Sequence, residues 1–187
     1  MRVHTAVVPA AGMGTRFLPA TKAVPKELLP VLDTPALQLI IDEAVGAGVD
    51  HMVIVTSHAK PAIEAYFQPQ PEVIAKLRSS GRDQMADRVE ALGRDVKVSF
   101  AYQDQALGLG HAVGCARDVV GDEPFAVLLP DELMGSSSLL DQMARHSRNR
   151  DKRLHRRARE RLDALVAEQA RAVHGEQLCI EMENLGW

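Results

Sequence analysis

A chain of 187 residues, 46% hydrophobic and 25% charged, has the make-up of one soluble globular domain, or of one domain with an extension. A formal net charge of -3 excludes an overall pull toward nucleic acid or anionic membrane. Two cysteines are too few for a disulfide framework, the N-terminus lacks a signal-peptide layout, and no segment approaches the roughly 18 apolar residues of a membrane span, so the expected setting is cytoplasmic.

Taken in chain order, Val3 to Val8 is short, apolar and partly β-branched, and predicts a buried strand ending at Pro9. A loop rich in Gly and Pro follows, AAGMGTRFLPATKAVPKELLPV, whose composition argues against a regular element across it. Pro35 to Ala47 places Leu37, Ile40, Ile41, Ala44 and Val45 at helical spacing, with Pro35 suited to the first turn and Gly48 to the stop. Met52 to Thr56 predicts a second buried strand, and Lys60 to Phe67 a short helix. Glu72 to Leu92 reads as a long polar helical stretch with a break near Gly81, and Val96 to Tyr102 as a strand. Leu109 to Val119 predicts a helix, Phe125 to Leu129 a buried strand, and Leu139 to His146 a further helix. Strands alternating with helices predict an α/β fold, a doubly wound and mainly parallel sheet of Rossmann-like type. Ligands then lie beyond the carboxyl ends of the strands, where the three polar motifs fall.

The first motif, Ala10-Ala11-Gly12-Met13-Gly14-Thr15-Arg16, directly follows the first strand. Glycines let backbone N–H groups approach an anion closely, Arg16 offers a fork of donors to phosphate oxygens, and Lys22 and Lys26 add positive charge. No Gly-Lys-Ser/Thr ends the loop, so it is not a P-loop, and Phe17 stands where a dinucleotide fingerprint needs its third glycine. The second motif runs from Gln103 through Gly108-Leu109-Gly110-His111-Ala112. A Gln amide offers one donor group and one acceptor, which suits a pyrimidine edge. The third, Phe125 to Glu132, delivers the Asp131 carboxylate at a strand tip, with Glu132 pointing the other way.

The stretch PAAGMGTRFLPATKAVPKELLPVLDTP, with the Gln103 and Asp131 motifs, resembles the UTP–glucose-1-phosphate uridylyltransferases of bacterial type over about residues 3 to 148. The resemblance implies a nucleotidyltransferase that converts UTP and glucose 1-phosphate to UDP-glucose and pyrophosphate with Mg2+. Its partners are then UTP and a sugar 1-phosphate. It also implies nucleotide contacts from Ala11, Gly12, Gly14, Thr15, Arg16, Lys26, Glu27, Gln103 and Gly108, with Glu27 near the base end of the site. Arg16 and Lys26 take the catalytic roles, stabilising charge on the departing pyrophosphate, and Asp131 is the metal ligand. His111 reads as a positioning or packing residue, because the sugar phosphate attacks without a general base. A thymidylyltransferase acting on a sugar 1-phosphate is the weaker enzyme alternative.

Residues 1–147 are thus expected to form a nucleotide-binding domain, and residues 148–187 a basic tail. The family's later half, which carries the sugar-phosphate site, has no counterpart in RNRDKRLHRRARERLDALVAEQARAVHG. Leu154, Ala158, Leu162, Leu165, Val166 and Val173 predict an amphipathic helix there, and Leu178, Ile180 and Met182 alternate as in a strand. The tail lacks interleaved aromatics, which argues against a nucleic-acid partner. A truncated sheet would leave an edge open to homo-oligomerisation, and a UTP-binding remnant without turnover is the alternative to an enzyme.

Overall fold

The computed structural model describes residues 3–92, 94–133, 135 and 142. The predicted helix over 139–146 falls almost wholly outside them, and the tail helix and the strand of Leu178, Ile180 and Met182 lie wholly outside.

Four parallel strands form the central sheet: β1 (Thr5–Pro9), β4 (His51–Thr56), β5 (Lys97–Tyr102) and β6 (Phe125–Val127), in the order β5-β4-β1-β6. Thr5 sits opposite His51 on one side and Phe125 on the other, so β1 is central. The small strands β2 (Pro30–Val31) and β3 (Thr34–Pro35) pair antiparallel as a separate hairpin, turning through Leu32 at φ 60°.

Side chains alternate across a strand, and here each face of the sheet finds its own cover. Ala6, Val8, Met52 and Ile54 pack with Leu37, Ile40, Ile41 and Ala44 of α1 (Ala36–Gly46) and Ile63 of α2 (Pro61–Tyr66). Val7, Val53, Val55 and Ala101 pack with Ala112 of α5 (Leu109–Cys115), Val120 of α6 (Arg117–Val120) and the intervening Ala116. Burial on both faces explains why β1 and β4 read as continuous apolar runs. The fold is therefore α/β, with helices on both faces of a parallel sheet, as the alternation of elements predicted.

Boundaries differ from the reading in three places. The first strand starts at Thr5 rather than Val3 and reaches Pro9. The break expected near Gly81 is present, dividing α3 (Pro71–Ser79) from α4 (Asp83–Ala91) at a φ of 73°. The helix over 109–119 is broken at Ala116. The last strand is shorter than predicted, although the Leu128 N–H still donates to the Val7 carbonyl at 2.9 Å.

Candidate nucleotide-binding site

Strand order reverses direction at β1, with β4 on one side and β6 on the other. The loops leaving β1 and β6 therefore diverge and open a crevice at the sheet's carboxyl edge, where such folds hold their ligands. The Gly-rich loop leaves β1 there. Its first residue is fastened to β4, since the Ala10 N–H donates to the Val55 carbonyl at 2.7 Å.

Two glycines in this loop do different work. Gly14 has φ 64°, and a Cβ there would meet Thr21 Cγ2 at 3.2 Å and Lys26 Cβ at 3.3 Å. The Thr21 hydroxyl also donates to the Gly14 carbonyl at 2.7 Å, so Gly14 is the point where the loop folds back on itself. A Cβ on Gly12 would meet nothing within 4 Å, which leaves its backbone open for a ligand. Beyond Gly14 the loop tightens into short 3₁₀ turns, Thr15–Phe17, Ala20–Lys22 and Lys26–Leu28. Gly12, Thr15 and Arg16 are exposed, and Ala11 is partly so.

The first and third motifs meet across the crevice. Lys26 Nζ lies 3.3 Å from Asp131 Oδ2, with side-chain exposures of 20% and 51%. Among the described residues no group of three or more His, Cys, Asp or Glu side chains could hold a metal ion. A hard dication held at Asp131 would need further oxygens, and Mg2+ commonly takes them from substrate phosphates and water.

Glu27 is fully buried, beneath the surface of the loop. Its two carboxylate oxygens accept from Lys60 Nζ at 3.2 and 3.0 Å, and the same ammonium donates to the Ala10 carbonyl at 2.7 Å. All three Lys60 protons are then used, pinning the start of the Gly-rich loop to the 26–28 turn. Lys60 is a residue the sequence reading missed. Its signal was its place just past the end of β4, on the same rim as the three motifs.

The second motif is equally constrained. Gln103 follows β5, is 7% exposed, and its N–H donates to the Thr56 carbonyl at 2.8 Å. Its side-chain Nε2 lies 3.1 Å from the Gly108 carbonyl and 2.9 Å from His111 Nδ1. Gly108 adopts φ 93°, ψ 178°, a conformation open to glycine but strained for other residues. Cys115 Sγ lies 3.8 Å from His111 Nδ1, and burial pushes its thiol pKa up, with Asp104 adding to the shift.

Gln103, the Gly-rich loop and Asp131 thus stand along one sheet edge, at the ends of β5, β1 and β6. Three inter-strand steps separate the outer two, about 14 Å at ordinary strand spacing. This is an α/β domain of the kind that binds its ligand at the strand ends, with a cation-bearing glycine loop at the strand-order switch and an amide at one flank.

The Nucleotidyl transferase family matches residues 5–157, more than half of the chain, and the chain belongs to that family. It is 46% identical over 146 residues to the UTP–glucose-1-phosphate uridylyltransferase of Bacillus subtilis (strain 168), covering 75% of this chain and 50% of that protein. It is 46% identical over 134 residues to UTP–glucose-1-phosphate uridylyltransferase 1 of Staphylococcus saprophyticus, covering 72% and 47%. Among solved structures it is similar to a UTP-bound UGPase from Acinetobacter baumannii, with a TM-score of 0.72 and 39% identity over 79% of this chain and 53% of that one. A UDP-glucose pyrophosphorylase from the same genus gives a TM-score of 0.66 at 44% identity, covering 69% and 46%. The chain spans about half the length of the curated relatives it matches. Among the described residues no helix is long and apolar enough to cross a membrane.

Proposed function

We propose that this chain carries the UTP-binding half of a uridylyltransferase that forms UDP-glucose and pyrophosphate from UTP and glucose 1-phosphate. The observation that carries this reading is the meeting of Lys26 and Asp131 at the strand-order switch, one on the glycine loop and the other at the tip of β6. A sugar phosphate oxygen would attack the α-phosphorus of UTP, and the bond to the β-phosphate would break. Negative charge then grows on the departing pyrophosphate, and Arg16 and Lys26 are the cations of the loop that would stabilise it. The backbone of Ala11, Gly12, Gly14 and Thr15 would hold the nucleotide, with Gln103 and Gly108 against the base. Asp131 would hold Mg2+ together with substrate phosphates, and bound Mg2+ offsets phosphate charge. Glu27 acts from beneath, through Lys60, as the support of the loop.

The reading places the chain in the cytoplasm, consistent with Cys115 as a free thiol. Among the described residues β6 is an edge strand, and a second copy pairing with it would extend the sheet. The test is pyrophosphate release from UTP, glucose 1-phosphate and Mg2+, beside an Asp131→Ala control. Release that requires Asp131 is the expected outcome, and release that survives Asp131→Ala would overturn the assignment. A second reading is a UTP-binding unit without turnover. It predicts UTP binding with no pyrophosphate release.

A further inference from the structure

We propose that His111 is a positioning residue that locks the Gln103 amide as a hydrogen-bond acceptor toward the nucleobase, and so selects bases with an imide N–H over cytosine. The inference rests on the uridine reading above and adds to it the group that sets base choice.

The argument begins with the Gly108 carbonyl, which can only accept. The amide atom 3.1 Å from it must therefore be nitrogen, because an amide oxygen there would set two acceptors face to face. That nitrogen carries two protons, and the second is directed at His111 Nδ1, 2.9 Å away. An amide N–H2 accepts nothing, so His111 Nδ1 must be the acceptor. The imidazole is then neutral, with its proton on Nε2.

Both protons being used, the oxygen of Gln103 is the part left for a ligand. No partner within the described residues engages it, and it is not among their buried unpartnered side-chain atoms, which leaves it to face the 7% of Gln103 that is exposed. Uracil offers N3–H, a donor, to such an oxygen. Cytosine carries a lone pair at the same N3, which an acceptor repels. Selectivity of this kind comes from an unpaired or repelled group in the wrong complex. Without His111 one of the two restraints on the amide is lost and it can rotate to offer its donor instead.

The experiment measures equilibrium binding of UTP and CTP by the full chain, as wild type, His111→Phe and His111→Asn. Wild type should prefer UTP. His111→Phe should lower the UTP-to-CTP affinity ratio about threefold to tenfold, the scale of one neutral hydrogen bond. His111→Asn, whose side-chain oxygen can accept from Gln103, should restore most of the ratio. A general loosening would weaken both nucleotides and leave the ratio alone. An unchanged ratio in His111→Phe would overturn the inference while leaving the uridine reading intact. A wild type that binds neither nucleotide, or both equally, would sink the uridine reading and this inference with it. Should His111→Phe not fold, the imidazole 15N shifts of wild type decide. An unprotonated Nδ1 is expected, and a protonated Nδ1 overturns the lock.

Discussion

Lys26 Nζ and Asp131 Oδ2 stand 3.3 Å apart, joining the loops that leave β1 and β6. The proposed function gives each a different task, Lys26 toward phosphate and Asp131 toward metal. On the proposed reading, a dication at Asp131 would compete with Lys26 for the carboxylate, and its binding would free Lys26 for phosphate. Lys26→Met is expected to bind Mn2+ several-fold more tightly in the absence of nucleotide, yet to bind UTP more weakly. Calorimetric titration with each would check this, and Mn2+ affinity unchanged by the substitution would contradict it.

The two glycines of the loop should respond differently to alanine. Gly14→Ala forces a Cβ into φ 64° and against Thr21 and Lys26, at a cost of about 1–2 kcal/mol of stability. Gly12→Ala meets no atom and should leave the melting temperature unchanged while reducing UTP affinity. Thermal unfolding and UTP titration of both variants separate scaffold from contact.

Breaking the Lys60–Glu27 pair from one side leaves a charge with no partner at a site where Glu27 is 0% exposed and Lys60 12%. Lys60→Met should cost about 3–5 kcal/mol, and adding Glu27→Met should return much of that loss. Denaturant midpoints of the single and double variants test the coupling. A double variant no more stable than Lys60→Met would refute it.

Thr56 Oγ1 is buried with no hydrogen-bond partner among the described residues. Thr56→Val keeps the shape and the β-branch and removes the orphaned hydroxyl. It should raise stability by about 1 kcal/mol, read as a melting temperature higher by about 2–4 °C.

His51 gives a pH signature. Burial lowers its pKa from the ordinary 6.5, Lys97 lowers it further, and Asp50 opposes them. The unfolded chain then binds the proton more readily than the folded one, so stability rises with pH across the interval between the two values. The contribution is complete above about pH 6.5 and is lost as pH falls toward the folded value. His51→Gln should flatten the fall in melting temperature between neutral and mildly acidic buffer.

What was legible in the sequence was whatever has a local signature. β1 and β4 declared themselves because both faces are buried, which turns alternation into an unbroken apolar run. Arg16, Lys26, Gln103 and Asp131 stood out because each follows a strand end in a recognisable motif. The Lys60–Glu27 pairing left no such trace, since it joins residues 33 apart that share no element. The hairpin of β2 and β3 was hidden by Pro30 and Pro35, residues that argue against a strand inside a sheet yet are tolerated at an edge. Nothing in Ala116 announces a stop, so one helix was read where there are two.

The central place of β1 has a consequence for how the site comes into being. The strand is made well before its sheet neighbours, His51–Thr56 and, much later, Phe125–Val127. Closing contacts over such separations is slow, and the parts made early must wait. On a ribosome, the glycine loop is in place for most of the domain's synthesis without the carboxylate that answers Lys26. The pairing of Lys26 with Asp131 therefore forms late, when β6 seats against β1 and brings the carboxylate to the crevice.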